Sequence, residues 1–233
     1  MRINSTTKIY GSFSRKAGDV GCLLFNTSFN YYNLNSIYKS FSVSNIKSAV
    51  DAAKCLQFSG FAVSMPFKTE IIPFLDDYDE TVKKTNSCNT VIVTENKLYG
   101  YNTDYYAIHD FLAEYYPEIG GKTPNNKGRS EELCKNIYIL GNGSYAGTLK
   151  VCCDEKGIEY KVITRTNWGD IANIHNSFIF NCTPVEDIGA DITNTVVHSV
   201  NTTDTGKKLA TRQAAYQFKI YTGLDFPLKD FDN

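Results

Sequence analysis

No stretch of this chain stays apolar over the roughly 20 residues that a membrane-crossing helix needs, so no membrane span is expected. The opening stretch MRINSTTKIYGSFSRK lacks the apolar core of a signal peptide, which points to a cytoplasmic protein. Charge of one sign is missing too. With 24 Lys and Arg against 25 Asp and Glu, the formal net charge is −1. That gives no electrostatic case for nucleic acid or an anionic membrane. A small anionic ligand would have to be held by local groups. There is no Cys-x-x-Cys pair among the 7 cysteines, and their number is odd. Reduced thiols are therefore expected rather than a disulfide framework or zinc site, and no metal is expected. The cysteines read as small buried hydrophobes. Internal repeats and low-complexity segments are also absent. What remains is an ordinary soluble composition, 42% hydrophobic and 21% charged over 233 residues. Such a chain can bury one large core or two modest ones.

The pattern along the chain alternates helix and strand. In NIKSAVDAAKCLQF (45–58), Ile46, Ala49, Val50, Ala53 and Leu56 recur at helical spacing, with Ser44 as the expected cap. Gly60 leads into FAVSM, a short apolar run that suits a buried strand. A helix interrupted near Pro73 is expected after Lys68. NTVIVTENKLYGYNTD (89–104) reads as two strands around an ENK turn. DYYAIHDFLAEYY (104–116) reads as a helix. The alternation favours an α/β layer with parallel pairing. PEIGGKTPNNKGRSEE (117–132) is polar and rich in glycine and proline, the best candidate for a junction. The following NIYILGNGSYAGTLKVCCDEKGIEYKVITR (136–165) predicts one strand–helix–strand unit. SFIFNCTP and NTVVHSV predict two more strands, and KKLATRQAAYQFKIYTG (207–223) a closing helix.

LGNGSYAG (140–147) lies between a predicted strand and a predicted helix, where a dinucleotide loop belongs. There Gly141 permits a tight turn and Gly143 lets backbone approach a pyrophosphate. The amides of Ser144 and Tyr145 then open the helix toward negative charge. Plain turns use glycine as well. The next strand bears on the choice. Where a carboxylate would read the ribose hydroxyl of NAD, the chain carries Thr164, Arg165 and Thr166. A guanidinium flanked by hydroxyls can fork onto a 2′-phosphate; it can equally be a solvated surface arginine. Position favours NADP.

Lys68 ends the apolar run through Pro66, so its backbone should be well held. Asn89 in CNT and Asn102–Asp104 in GYNTD also fall at predicted strand ends. A lysine, a carboxylate and neutral amides on rigid strand ends suit proton transfer at a hydroxyl during hydride transfer.

VSMPFK, SCNTV and LYGYNTD resemble, in order and spacing, three motifs of the shikimate dehydrogenase family. These are its valine-threonine-x-proline-histidine-lysine, alanine-valine-asparagine-threonine and glycine-x-asparagine-threonine-aspartate segments. LGNGSYAG, TRTN, NCTP and RQAAYQFKIYTG resemble its cofactor loop, its asparagine-arginine-threonine segment, a turn and its last helix. MPFK and NTDY are similar in particular to the divergent shikimate dehydrogenase-like branch. The resemblance implies an N-terminal α/β catalytic domain, residues 1–105 completed by 207–233, and a Rossmann-like NADP-binding domain, residues 106–206. The C-terminal helix returns to the first domain. By position the resemblance makes Lys68 and Asp104 the catalytic pair, and Ser64, Asn89 and Gln213 substrate hydroxyl contacts. It implies a small-molecule substrate, shikimate or a similar acid, and a monomer or homodimer.

Three segments depart from the family. The serine-x-serine pair that grips the substrate carboxylate is not recovered in SRKAGDVGCLLFN (14–26), and Phe25-Asn26 stands for a histidine-asparagine. The stretch 184–206 is short and lacks a tyrosine-x-proline segment. Ser144 replaces the third glycine of the cofactor loop. Two readings result: an active NADP-dependent dehydrogenase of shikimate or a related cyclic hydroxy acid, or a weak or inactive relative that binds a dinucleotide or metabolite.

Overall fold

The computed structural model describes residues 3–115 and 137–227. The chain forms two compact units: the residues up to Thr103 with those from Thr211 onward, and Asp104–Ala210. The 117–132 junction lies outside the described residues.

In the first unit, β1 (Lys8–Ser14), β2 (Ser36–Ser42) and β3 (Gly60–Val63) run parallel. Between them lie α1 (Val20–Tyr31) and α2 (Ile46–Cys55). The hairpin of β5 (Thr90–Thr94) and β6 (Lys97–Tyr101) joins antiparallel to β3, and the two-residue β4 (Asp77–Tyr78) closes the edge. The order is β2-β1-β3-β5-β6-β4. Glu95 and Asn96 both adopt left-handed backbone, which matches a two-residue turn to the strand twist. Alternation along β1 divides its side chains between two cores. Phe13 joins Ile46, Val50, Phe58 and Phe61 on the α2 face; Tyr10 joins Phe25, Phe29, Phe218 and Tyr221 on the other. Apolar residues on both faces are what a parallel sheet covered on both sides requires. Gly11 is needed where β1 meets β2, since a Cβ there would lie 2.7 Å from the Lys39 carbonyl oxygen.

Several local expectations change. Asn45, not Ser44, caps α2, its side chain accepting from the Ser48 amide. Leu56, expected on the buried stripe, lies beyond the helix and is 60% exposed; Phe58 fills the core instead. After Lys68 there is no α-helix, only turns and a 3-10 segment at Ile72–Phe74. Pro73 offers no amide and disfavours helical backbone at Ile72. α3 (Glu80–Thr85) follows, capped by Asp79.

The second unit begins on α4 (Thr103–Tyr115) and holds a four-stranded parallel sheet of order β10-β9-β7-β8. β7 is Ile137–Leu140, α5 is Ser144–Lys156 and β8 is Tyr160–Ile163; β9 is Phe178–Asn181 and β10 is Thr195–His198. Ile137, Ile139, Phe178 and Phe180 face α4 and α5. Leu140 and Ile179 face a 3-10 segment (Arg165–Asn173) and the loop carrying Ile188. The sheet is Rossmann-like, with its order reversing between β7 and β9. In open α/β sheets ligands bind at the strand ends beside such a reversal. α6 (Asp204–Thr222) starts three residues before the sequence suggests and carries the chain back to the first unit.

Candidate active site

At the carboxyl edge of the first sheet, β1 and β3 end side by side, with Phe13 opposite Val63. The antiparallel β5 starts there, and β6 ends there. The Ser64 amide donates to the Phe13 carbonyl at 2.9 Å and the Val63 amide to the Asn89 carbonyl at 2.8 Å. The Asn89 amide donates to the Tyr101 carbonyl at 3.1 Å. Ser64, Asn89 and Asn102 are thus brought to one edge by backbone pairing alone.

Ser64 is exposed, while Lys68 is half-buried. Their loop is anchored by the buried rings and chains of Phe67 and Ile71, and the Lys68 carbonyl accepts from the Cys88 amide at 2.8 Å. Burial pushes the Cys88 thiol up to about 12, against the influence of neighbouring backbone groups and of Lys68.

Asn89 is buried, and its side-chain carbonyl accepts three bonds. They come from the Thr103 amide at 2.8 Å, the Thr103 hydroxyl at 3.0 Å and the Thr90 hydroxyl at 2.8 Å. Gln213 arrives from α6. Its Oε1 accepts from Thr103 Oγ1 at 3.1 Å and from Asn89 Nδ2 at 3.4 Å. A second layer lies beneath. Gln217 donates to Thr90 Oγ1 at 3.1 Å and to the Tyr221 hydroxyl at 3.0 Å. From the other side, the Asn102 amide donates to Thr81 Oγ1 at 2.8 Å and its side chain to Thr85 Oγ1 at 2.8 Å. Sequence reasoning missed Gln217, Thr81 and Thr85. Their only signal was polarity on otherwise buried faces.

The second unit carries a separate constellation. Asp104 lies in the first turn of α4 and is buried; burial first, then its charge, pushes the Tyr145 phenol well above the ordinary tyrosine range. Gly141 has φ of +99°, and a Cβ there would lie 3.0 Å from Thr183 Cγ2. The turn after β9 is therefore in contact with the glycine loop. Asn181 shapes that turn, accepting from the Thr183 amide at 2.9 Å and the Thr183 hydroxyl at 2.7 Å. Gly143 caps α5 with no side-chain bond, and a Cβ on it would meet nothing within 4 Å. Ser144 and Tyr145 follow as the first helical residues. After β8, Thr164 caps the 3-10 segment, its hydroxyl 2.8 Å from that of Thr166. Arg165 is exposed, and among the described residues no hydrogen bond or ion pair holds its guanidinium. An open backbone at a helix start, a left-handed glycine and an uncommitted guanidinium fit a phosphorylated dinucleotide. Among the described residues no cluster of His, Cys, Asp or Glu could hold a metal. No described helix is long and apolar enough to cross a membrane.

Two compact units, each built on its own sheet with helices, define an α/β protein whose second unit is Rossmann-like. A profile of the shikimate dehydrogenase substrate-binding domain matches residues 20–91. A shikimate dehydrogenase-like protein of Haemophilus influenzae is 35% identical over 157 residues, which is 67% of this chain and 53% of the relative. A shikimate dehydrogenase (NADP(+)) of Pyrococcus furiosus is 38% identical over 143 residues, 60% of this chain and 48% of the relative. The chain thus spans about half the length of the curated relatives it matches. The crystal structure of shikimate dehydrogenase from Aquifex aeolicus superposes with a TM-score of 0.75 at 25% identity, covering 97% of this chain and 96% of that one. These likenesses support a place for the chain in the shikimate dehydrogenase family.

Proposed function

We propose that this protein is an NADP-dependent dehydrogenase that interconverts shikimate, or a related cyclic hydroxy acid, and its 3-dehydro form. The observation that carries the reading is that Gln213 Oε1, arriving from α6, accepts from Asn89 Nδ2 at 3.4 Å on the strand edge where the Lys68 carbonyl accepts from the Cys88 amide at 2.8 Å. Relatives named shikimate dehydrogenase (NADP(+)) support the cofactor and the substrate class.

In this reading residues up to 105 with 207–233 bind substrate, and residues 106–206 bind NADP. Gly141, Gly143, Ser144 and Tyr145 hold the pyrophosphate through backbone. Arg165 binds the 2′-phosphate, with Thr164 and Thr166 beside it. When bound, the nicotinamide supplies the acceptor for the hydride that leaves the carbinol carbon. The Lys68 amine takes up the hydroxyl proton as the carbonyl forms. In the reverse direction its ammonium donates to the oxygen where charge develops. Asp104 tunes that proton exchange. Ser64, Asn89 and Gln213 hold the other hydroxyls. The reaction needs no metal, nucleic acid or membrane, and belongs in the cytoplasm, carried out by a monomer or homodimer.

The test is reduction of NADP+ and NAD+ in the presence of shikimate, quinate and related acids. Shikimate-type acids should reduce NADP+ in preference to NAD+. Lys68→Ala should lower kcat by about 10²- to 10⁴-fold with a smaller change in KM. No reduction with any of these acids would leave the reading of a protein that only binds its ligands.

A further inference from the structure

The short segment between β1 and α1 has almost no side-chain hydroxyls. Ser14 ends β1 and is buried, and Ala17, Gly18 and Asp19 supply no side-chain hydroxyl before α1 begins. What the loop does offer is Arg15. Its backbone amide donates to the Met65 carbonyl at 3.1 Å, which ties it to the segment that runs on to Lys68. Two residues further on, the Ala17 amide donates to Ser42 Oγ at 2.9 Å, so the loop is also pinned to the end of β2.

The Arg15 side chain is held as well. Its guanidinium carbon lies over the Phe67 ring, 5.3 Å from the centroid, and Nη1 donates to the Ser44 carbonyl at 3.2 Å. Phe67 is buried and immediately precedes Lys68. A guanidinium has five N–H donors, and among the described residues one is in use. Among the described residues no carboxylate pairs with it; Asp19, exposed at the start of α1, does not. The result is a positioned, charged fork with open donors at the carboxyl ends of the parallel strands β1 and β3, the end at which ligands of α/β sheets bind. Lys16 is exposed beside it, with no such packing under it.

We propose that Arg15 is the residue that selects for an acid, its guanidinium taking the carboxylate of the substrate at the edge where Lys68 meets the hydroxyl. This assignment rests on the dehydrogenase reading for its substrate, but it concerns recognition and not turnover. The geometry suits it. A planar fork matches a carboxylate with two parallel bonds, and the Phe67 ring restricts the orientation of the fork before ligand arrives.

The experiment compares shikimate with its methyl ester, which keeps the ring and hydroxyls and removes the charge. In kinetics, R15Q should lower the preference for acid over ester by about ten- to a hundredfold, mainly through KM for the acid. R15K should restore part of it, because the charge returns without the fork. Equal losses for acid and ester, or an unchanged preference, would overturn the assignment, and a matching fall in the unfolding midpoint would assign Arg15 to folding. Calorimetric titration of shikimate into the full chain separates this inference from the dehydrogenase reading. If the protein reduces no nucleotide yet binds shikimate more tightly than its ester, and R15Q loses that difference, the dehydrogenase reading fails and the Arg15 assignment stands. If the unaltered protein does not prefer the acid, the Arg15 assignment is wrong.

Discussion

Gly141 and Gly143 are two residues apart and answer to different constraints. At Gly141 the backbone is left-handed and a side chain would press on Thr183. Gly141→Ala should therefore cost about 1–3 kcal/mol of stability, whatever is bound. At Gly143 the backbone is extended and open, so Gly143→Ala should cost about 1 kcal/mol or less. In the proposed reading its effect should instead fall on NADP affinity, because the added methyl group would meet a pyrophosphate held by this backbone. Thermal unfolding and nucleotide titration of the two variants check this. If Gly143→Ala binds NADP as tightly as the parent, the pyrophosphate does not lie on this loop. The glycines were legible because strand, glycine and helix follow one another locally. Thr183 was not, since its contact with Gly141 depends on β7 and β9 being neighbours in the sheet.

At the scale of elements, α6 sets the polar edge of the first unit with a stripe four residues apart: Gln213, Gln217 and Tyr221. Gln213 reaches Asn89 and Thr103, Gln217 reaches Thr90, and the Tyr221 carbonyl accepts from the Tyr10 hydroxyl at 3.2 Å. Gln217 is 2% exposed, so its amide has no water to fall back on. Gln217→Ala should destabilise the protein by about 1–3 kcal/mol, leaving the Tyr221 hydroxyl without its partner. Urea unfolding measures this, and an unchanged midpoint would show that the bond contributes nothing net. In sequence, Gln213 was found by resemblance. Gln217 looked like any polar residue of an amphipathic helix, because the strand it meets lies more than a hundred positions earlier. The α2 cap shows the same limit on a smaller scale. Ser44 and Asn45 are both good caps, and only the backbone decides between them.

For the whole molecule, thiols buried in both units couple stability to pH. Burial pushes Cys88 in the first unit and Cys153 in the second up to about 12, from an ordinary value of 9.0. Their folded pKa lies above the unfolded one, so the stabilisation is complete below about pH 9 and is lost as pH rises toward 12. Denaturation midpoints should hold level with respect to these groups near neutrality and fall across that alkaline window. Cys88→Ala together with Cys153→Ala should make the fall shallower. The alternation of helix and strand made the α/β class legible, and the resemblance implied that the last helix returns to the first domain. Periodicity alone could not, since it carries no information on what a helix packs against.

Residues up to Thr103 lack part of their own core. Ala214, Phe218 and Tyr221 cover the face built by Tyr10, Phe25, Phe29 and Tyr38. A fragment ending at Thr103 should therefore show no cooperative unfolding, and adding a 207–233 peptide should restore some; a well-folded fragment in its circular dichroism and melting would contradict this. The same discontinuity governs the order of events on the ribosome. The aromatic face made first must wait while the whole of Asp104–Ala210 is synthesised, a delay of roughly 5–20 s at ordinary elongation rates. Through that interval the nascent chain carries a sticky, half-finished layer, and the demand for a chaperone falls on its earliest segment.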